Sequence, residues 1–393
     1  MVNQRMLGLG SARSVIRELF EYGKQRAAVI GAENVFDFSL GNPSVPAPAR
    51  VNEEAIRILT ENPDAIHCYT SAQGDLAARQ RLADSLNRRF GANYTADRFY
   101  ITVGAAASLC CVFNGLTCPG DEFIVFAPYF PEYKVFIEGA GASMVLIPPD
   151  EPDFQIPFDR FEAAITPNTK GVVVNSPNNP SGVVYSEATL KKLAGILEAK
   201  SAEYGHPIYL ISDEPYREIV FEGFTVPWLP HIYRDTIVCY SFSKSLSLPG
   251  ERLGYILVPK EVTDSDQVYA AAAGAGRSMG YVNAPSLFQQ VTSLCCDLTS
   301  DLSVYAENCR LLTQALTEMG YEVPTPGGAF YLFPKTPEPD DLAFSERAKE
   351  FDLLLVPGSS FGAPGHFRLA YCVQTDMIRR ALPRFKALMD SYR

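Results

Sequence analysis

Residues 236–258 read TIVCYSFSKSLSLPGERLGYILV, and the fold prediction starts from this stretch. Two short runs, Thr236–Tyr240 and Gly254–Val258, are rich in Val, Ile and Tyr and are bounded by Asp, Gly or Pro. Such runs are typical of β-strands. The segment between them is polar and carries Lys244 four residues after the first run. The stretch therefore predicts a strand, a loop that contains a lysine, and a second strand.

Runs of the same kind recur through the middle of the chain and alternate with helical segments. Further strands are predicted at Arg98–Val103, Glu122–Phe126, Ser143–Ile147, Gly171–Asn175 and Pro207–Ser212, and helices at Ala105–Leu116, Pro131–Glu138 and Lys191–Glu203. This alternation indicates an α/β layer with a mainly parallel sheet flanked by helices. Ligands bind such sheets at the carboxyl ends of the strands, so the loops after the strands are where a site is expected.

The last quarter of the chain has a different pattern. Helices are predicted at Ser300–Gly320, near Phe344–Phe351 and from Thr375 to about Tyr392, with strands at Gly328–Phe333, Leu353–Val356 and Phe367–Cys372. This pattern is typical of a smaller α+β unit. We expect a small domain from residues 1–40 and 300–393, because chain termini often lie close together, and a large domain from residues 41–299.

Composition excludes several classes of protein. Of the 393 residues, 47% are hydrophobic and 20% are charged, which is ordinary for a globular enzyme and excludes a disordered chain. The formal net charge of −11 disfavours binding to nucleic acid or to anionic membranes, and the apolar runs are too short to span a bilayer. Nine cysteines without a C-x-x-C motif indicate neither a metal site nor disulfides, so we expect a cytoplasmic protein with reduced thiols.

The loop around Lys244 suggests a particular chemistry. A desolvated lysine with a depressed pKa can form an imine with an aldehyde. The hydroxyls of Ser241 and Ser243 precede it, and Arg252 follows; hydroxyls and an arginine are suitable ligands for a phosphate. Together these residues predict a lysine that binds pyridoxal phosphate.

Other strand-end loops carry the remaining groups that this cofactor needs. Asp213 can pair with the pyridine nitrogen, and Tyr216 can donate to the phenolic oxygen of the ring. The loop that contains Asn179 offers amide groups to the same oxygen. The segment Gly104-Ala105-Ala106-Ala107 opens a helix whose free amides suit a phosphate, and Pro128-Tyr129-Phe130-Pro131 offers an aromatic ring for stacking.

With these residues the chain resembles the class I/II aminotransferases, the aspartate-aminotransferase-like branch of the fold-type I pyridoxal phosphate enzymes. The S-x-S-K-x₇-R-x-G stretch, Ser241 to Gly254, is the most specific part of the resemblance. The resemblance implies a large domain with a seven-stranded sheet. It also implies catalytic roles for Lys244, as Schiff-base lysine and general acid/base, and for Asp213 and Tyr216. The implied cofactor-binding residues are Ala105, Ala106, Phe130, Asn179, Asp213, Tyr216, Ser241, Ser243, Lys244 and Arg252.

The resemblance also implies a homodimer with shared active sites and a set of substrate contacts. Tyr69 matches a tyrosine that reaches the phosphate of the partner subunit, and Arg368 matches the arginine that binds the substrate α-carboxylate, with help from Gly41 and Asn179. Arg277 lies close to where aspartate-specific members place a second arginine, although it is offset by one position. We therefore expect either that Arg277 binds an acidic substrate side chain or that it is a surface residue at a helix end.

The implied activity is transfer of an amino group from an L-amino acid, with aspartate or glutamate favoured, to a 2-oxo acid by a ping-pong mechanism. Carbon–sulfur β-lyases and ring-forming synthases share this fold and these cofactor residues, so they remain alternatives. A non-enzymatic alternative is the aminotransferase-like effector domain of certain transcription regulators. About forty residues precede Gly41 here, which is too few for a DNA-binding domain and linker.

Overall fold

The structure of the chain, a computed structural model, describes residues 2–11 and 14–393. Backbone contacts divide it into two compact units. The large unit comprises Val45–Leu302 and Gly327–Ala329, and the small unit comprises Met1–Ser44, Ser303–Pro326 and Phe330–Arg393. These bounds lie within a few residues of the expected domains, apart from the short Gly327–Ala329 segment. The assignment of these two units as separate domains of the protein stays a prediction.

The described chain contains the following regular elements in sequence order. The strands are β1 (Phe36–Asp37), β2 (Phe99–Thr102), β3 (Glu122–Phe126), β4 (Ser143–Ile147), β5 (Thr169–Asn175), β6 (Tyr209–Asp213), β7 (Thr236–Ser241), β8 (Gly254–Leu257), β9 (Tyr331–Leu332), β10 (Leu353–Leu354), β11 (Val356–Pro357) and β12 (Phe367–Ala370). The α-helices are α1 (Gln4–Ser11), α2 (Val15–Ile30), α3 (Ala49–Glu61), α4 (Leu76–Phe90), α5 (Ala105–Leu116), α6 (Glu132–Gly139), α7 (Phe158–Ala164), α8 (Glu187–Tyr204), α9 (Phe242–Ser245), α10 (Ser265–Ser278), α11 (Ser286–Leu294), α12 (Ser303–Met319), α13 (Asp341–Glu350) and α14 (Thr375–Asp390).

The large unit is built on a seven-stranded sheet with strand order β2-β8-β7-β6-β5-β3-β4. Pairing is parallel from β7 through to β4, and β8 alone runs antiparallel to its two neighbours. Both faces are buried, as is usual for parallel sheets: along β7, Ile237 and Cys239 join one hydrophobic cluster, and Val238 and Tyr240 join another. The predicted α/β class with a mainly parallel sheet is confirmed.

Helices α5 and α10 pack closely over one face of this sheet. A Cβ atom added to Gly115 in α5 would lie 2.8 Å from the backbone nitrogen of Ala272 in α10, so only a glycine permits this approach. The sequence of α10, SDQVYAAAAGAGRS, is correspondingly rich in alanine and glycine. Small side chains allow the two helix backbones to come together, and no helix bounds are predicted from the sequence over the residues of α10.

The small unit contains two small sheets. β1 pairs in parallel with β10, and β12 lies between β11 and β9 with antiparallel pairing on both sides. The strand predicted at Gly328–Phe333 is confined to Tyr331–Leu332, because Gly328 instead bridges to Val220 within the large unit. Across the ranges that the structure describes, no helix is both long and apolar enough to cross a membrane.

Candidate active site

The sheet of the large unit brings several predicted residues to one edge. β2, β5, β6 and β7 run in the same direction, so their carboxyl ends lie at the same side of the sheet. Asp213 is the last residue of β6 and Ser241 is the last of β7. Thr102, at the end of β2, and Ser241 both pair with Gly254 of the antiparallel strand β8. The loop that contains Arg252 therefore arrives at this edge as well.

Asp213 is buried at the centre of this edge. Its Oδ2 atom accepts a hydrogen bond of 2.5 Å from the hydroxyl of Tyr133, while its Oδ1 atom accepts none from any residue in the described part of the chain. Burial raises the pKa of this carboxyl from 3.8 to about 7, against the opposing effect of the Tyr133 hydrogen bond. The free oxygen is thus able to accept a hydrogen bond from a ligand.

Two loops of the site are joined by one buried amide side chain. The Nδ2 atom of Asn175, at the end of β5, donates to the backbone carbonyl of Asp213 at 2.9 Å. Its Oδ1 atom accepts a hydrogen bond of 2.8 Å from the backbone nitrogen of Asn179. Asn175 therefore sets the spacing between Asp213 and Asn179, two residues predicted to bind the same ring.

A buried ion pair stabilises the turn after β6. Glu214 accepts hydrogen bonds from Ser212 and from Arg217, which forms the ion pair. The Arg217 guanidinium also lies against aromatic rings, 4.5 Å from the centroid of Trp228 and 5.0 Å from that of Tyr240. These contacts fix the turn that carries Asp213 and the buried Tyr216.

A concave group of phosphate-binding candidates forms around the start of α5. Gly104 precedes this helix with φ +94°, and a Cβ atom at that position would lie 2.8 Å from Nη2 of Arg252. Ala105 and Ala106 are the first two helical residues, whose amides have no acceptor within the helix. Across the sheet edge, the hydroxyls of Ser241 and Ser243 lie 2.7 Å apart. The helix amides and the guanidinium together form a cradle suited to an anion.

Lys244 follows β7, the neighbour of β6 in the sheet, and Phe130 follows β3, on the far side of β5. Lys244 is half-buried in α9, the single helical turn that follows β7 directly. Phe130 is half-buried just before α6, and its ring centroid lies 5.7 Å from that of Tyr133 in an edge-to-face arrangement. Through the bond from Tyr133 to Asp213, the aromatic residue and the carboxylate belong to one connected cluster.

The small unit holds a separate candidate carboxylate site. Arg368, on β12, is buried, and its Nη2 atom donates to the backbone carbonyl of Ser39 at 2.5 Å. The guanidinium lies 4.8 Å from the ring centroids of both Tyr331 and Phe361. A Cβ atom at Gly41 would overlap the hydroxyl of Tyr331, so glycine is required there. An arginine fixed in this way is oriented for bidentate recognition of a carboxylate.

Two predicted site residues lie apart from the Asp213 cluster. Tyr69 is 93% exposed, in the segment between α3 and α4. Arg277, near the end of α10, is exposed and forms no ion pair with any carboxylate of residues 2–11 or 14–393. Within those residues, no group of three or more His, Cys, Asp or Glu side chains could hold a metal ion.

The structure also adds two residues, Tyr133 and Asn175, that the sequence pattern does not reveal. Tyr133 follows Phe130 by three residues, and its backbone nitrogen donates to the Phe130 carbonyl, so both belong to one turn. The three-residue spacing from Phe130 is the sequence feature that could indicate Tyr133 as a site residue. It is a weak indication, because a buried tyrosine is by default assigned to the core. Asn175 ends a predicted strand, but its hydrogen bond to the carbonyl of Asp213, 38 residues along the chain, cannot be read from sequence.

Comparison with known proteins identifies relatives along nearly the whole chain. It is 32% identical over 362 residues, 89% of each chain, to an aspartate/prephenate aminotransferase of Thermus thermophilus. Its structure resembles that of an amino transferase from Eubacterium rectale, with a TM-score of 0.97 and 54% identity over 100% of this chain and 99% of the other. It also resembles a Thermus thermophilus aspartate aminotransferase solved with maleate, with a TM-score of 0.85 and 28% identity over 99% of both chains.

The family model for aminotransferase class I and II matches residues 33–385. This range includes every predicted site residue in both units, from Gly41 to Arg368. The resemblance found in the sequence motifs is therefore confirmed at the level of the family, and with it the α/β fold and the enzyme class. The chain belongs to the class I and II aminotransferases.

Proposed function

We propose that this aminotransferase depends on pyridoxal phosphate and transfers an amino group from an L-amino acid to a 2-oxo acid in two half-reactions. The observation that carries the proposal is Asp213, a buried carboxylate with one oxygen bonded to Tyr133 and the other without a donor among the described residues. A protonated pyridine nitrogen is the kind of donor that such an oxygen requires.

The anion cradle at the start of α5 fits the phosphate of the same cofactor. The amides of Ala105 and Ala106, the hydroxyls of Ser241 and Ser243, and Arg252 would bind phosphate oxygens. Nearer Asp213, Asn179 and Tyr216 would hydrogen-bond the phenolic oxygen, and Phe130 would pack on the ring.

When bound, pyridoxal phosphate supplies an aldehyde that takes up the substrate amino group and a ring that accepts electrons from its α-carbon. The residues of the chain supply the rest. Asp213 would keep the ring nitrogen protonated, and Lys244 would hold the cofactor and later, through its Nζ atom, remove the proton from the substrate α-carbon. Because the amino group stays with the enzyme between substrates, ping-pong kinetics are expected.

Arg368 is proposed to bind the α-carboxylate of the substrate. Its guanidinium is held by the Ser39 carbonyl and by the faces of Tyr331 and Phe361, which reduces the freedom it must lose on binding. Gly41, which lies against Tyr331 in the same unit, is proposed as a further contact of this carboxylate.

An acidic amino acid is the substrate class that we favour. The names of the Thermus thermophilus relatives specify aspartate, and one of them was solved with maleate, a dicarboxylate. In this chain Arg277 is an exposed arginine without a carboxylate partner in the described ranges, so it is available for a distal carboxylate.

The proposal includes a cytoplasmic homodimer with shared sites. Tyr69 is 93% exposed although its neighbours Thr70 and Ser71 are held by hydrogen bonds from Asn283. An ordered backbone that presents a tyrosine to solvent suits a residue that completes the phosphate site of a partner subunit.

The proposal is tested by adding pyridoxal phosphate to purified protein and recording the visible absorbance before and after single amino acids, with products identified. We expect a cofactor band that aspartate or glutamate bleaches fastest, with release of the matching 2-oxo acid. Lys244→Ala is the matched control, because it leaves the anion cradle intact but removes the proposed anchor.

Other outcomes would lead to different functions. Pyruvate and ammonia without net amino transfer would indicate a β-lyase. No cofactor band after reconstitution would contradict the proposed role of Lys244, and a stable band that no amino acid changes would favour an effector-binding role.

The role of Arg277 has a test of its own. Arg277→Ala should lower kcat/KM for aspartate much more than for alanine, because only aspartate carries the distal carboxylate. An unchanged ratio between the two substrates would identify Arg277 as a surface residue.

A further inference from the structure

Tyr133 forms the one hydrogen bond that the carboxylate of Asp213 accepts from the described chain. It is the second residue of α6, its side chain is fully buried, and its hydroxyl lies 2.5 Å from Oδ2 of Asp213. We propose that Tyr133 is a positioning residue of the reaction, which orients Asp213 and keeps it ionised opposite the protonated ring nitrogen. This inference rests on the proposed function.

The orienting part of this role follows from geometry. Because Tyr133 occupies Oδ2, the carboxylate cannot rotate without losing a buried hydrogen bond, and Oδ1 remains as the acceptor for a ligand. The backbone of Asp213 is held independently by Asn175, at 2.9 Å. Side chain and backbone are therefore fixed from two different elements, α6 and β5.

The electrostatic part depends on what surrounds Asp213. The titratable groups beside it are Tyr133 from α6, Cys239, which pairs with it from β7, and Glu214, the next residue of its own turn. The Glu214 carboxylate is paired with Arg217, and it acts with burial to raise the pKa of Asp213, whereas the Tyr133 hydrogen bond lowers it. Tyr133 is thus the group in this set that donates to the Asp213 carboxylate.

The hydroxyl of Tyr133 also remains protonated at ordinary pH. Burial, together with the neighbouring Asp213 carboxylate, raises the pKa of Tyr133 well above its ordinary value of 10.0. A hydroxyl that keeps its proton stabilises the ionised carboxylate more than the neutral acid. The pair of ionised Asp213 and protonated ring is consequently favoured over the pair of neutral acid and neutral ring.

The experiment uses Tyr133→Phe, which keeps the aromatic ring and removes only the hydroxyl. The ring nitrogen of bound pyridoxal phosphate is labelled with ¹⁵N, and its chemical shift reports protonation independently of activity. Tyr233→Phe is the matched control: its hydroxyl is also buried and donates to the Ile208 carbonyl at 2.7 Å, at the opposite end of the strand that carries Asp213.

We expect the ¹⁵N shift of Tyr133→Phe to move toward the value of an unprotonated pyridine, and that of Tyr233→Phe to match the unsubstituted protein. Cofactor affinity should fall roughly three- to tenfold in Tyr133→Phe. This loss is smaller than that expected for a charged hydrogen bond formed on binding, because Tyr133 and Asp213 are already hydrogen-bonded before the cofactor binds. The acid limb of the pH–rate profile should also shift only in this variant.

Two results overturn the inference in distinguishable ways. If the unsubstituted protein binds no pyridoxal phosphate, the proposed function fails, and this inference fails with it. If it binds the cofactor and Tyr133→Phe has the same ¹⁵N shift and affinity, Tyr133 is a packing residue only and the proposed function stands.

A second pair of variants covers the case in which Tyr133→Phe does not fold. Tyr133→Gln retains a donor, whereas Tyr133→Met has similar length without one. A protonated ring signal in the glutamine variant that is weakened in the methionine variant supports the positioning role. Identical signals in the two variants overturn it.

Discussion

Two segments of the large unit each have a backbone held by an asparagine side chain, but one buries its proposed site residue and the other exposes it. The turn after β6 carries Asp213, and the segment between α3 and α4 carries Tyr69. In each, an asparagine from elsewhere in the unit holds the backbone: Asn175 bonds to the Asp213 carbonyl, and Asn283 bonds to the carbonyls of Thr70 and Ser71. Yet Asp213 is 5% exposed and Tyr69 is 93% exposed.

The different exposure of Asp213 and Tyr69 shows that a backbone held by hydrogen bonds does not imply a buried side chain. Asp213 has its hydrogen-bond partners, the Tyr133 hydroxyl and the Asn175 side chain, within its own chain. Tyr69 has a fixed backbone but presents its ring to solvent, the arrangement expected of a residue whose partner is a second subunit. Substitutions in the first segment should therefore affect folding and chemistry together, whereas those at Tyr69 should affect chemistry alone.

The largest effect is expected when the ion pair behind the turn is broken. Arg217→Met leaves Glu214 as an unpaired buried charge, so the free energy of unfolding should fall by roughly 3–5 kcal/mol. Tyr69→Ala should change it by less than about 0.5 kcal/mol, as is usual for exposed positions. Chemical denaturation measures both. Adding Glu214→Leu to Arg217→Met should recover part of the loss; if it does not, the ion pair is not the cause.

The next effect concerns catalysis by the buried carboxylate. Asp213→Asn removes the negative charge that we propose holds the ring proton, so kcat should fall by roughly 10²- to 10³-fold. Tyr69→Phe, which removes one hydroxyl from the proposed partner site, should lower kcat far less and mainly weaken cofactor binding. Steady-state kinetics at saturating cofactor compare the two. Equal losses in kcat would contradict the proposed division of roles.

A third prediction uses pH on the cofactor-free protein. Because the folded pKa of Asp213 is about 7, above its ordinary value of 3.8, the folded state holds this proton more tightly than the unfolded state. The resulting stability is present at low pH and is lost as the pH rises through 7. Relative to Asp213→Asn, the protein should lose on the order of 3 kcal/mol between about pH 5 and pH 8. Parallel stability curves for the two proteins would show that this carboxyl titrates normally.

The smallest expected effects are those of substituting the two asparagines, and they should differ between Asn175 and Asn283. Asn175→Ala removes two buried hydrogen bonds and should cost roughly 1–3 kcal/mol of stability as well as some cofactor affinity. Asn283→Ala affects a half-buried segment and should cost about 1 kcal/mol or less. Thermal unfolding with and without pyridoxal phosphate distinguishes them. A larger added stabilisation by cofactor in Asn175→Ala than in the unsubstituted protein would contradict the linking role of Asn175.

Much of this fold can be predicted from sequence because parallel strands leave a local signal. The runs Glu122–Phe126 and Ser143–Ile147 are short, apolar and bounded by turn residues, and both are strands with those bounds. The polar loops after strands are likewise visible, and parallel topology brings them to one edge. In contrast, α10 is rich in alanine and glycine, and no helix bounds are predicted from the sequence over its residues.

The contacts that orient the candidate site are less predictable. The pairs Tyr133–Asp213 and Asn175–Asp213 are known only once the strands are in register, since their partners are 80 and 38 residues apart in the sequence. A motif identifies residue types that could bind a ring or a phosphate. It does not identify the residues that hold them in place.

If Tyr69 completes the phosphate site of a partner subunit, as we propose, its exposure has a consequence for how the protein behaves on dilution. A tyrosine that completes the phosphate site of the partner makes cofactor binding and subunit association reciprocal: each strengthens the other by the same factor. Cofactor affinity then becomes a function of protein concentration. Diluted far enough, the protein would release its cofactor as it dissociates, and added pyridoxal phosphate would draw the subunits back together.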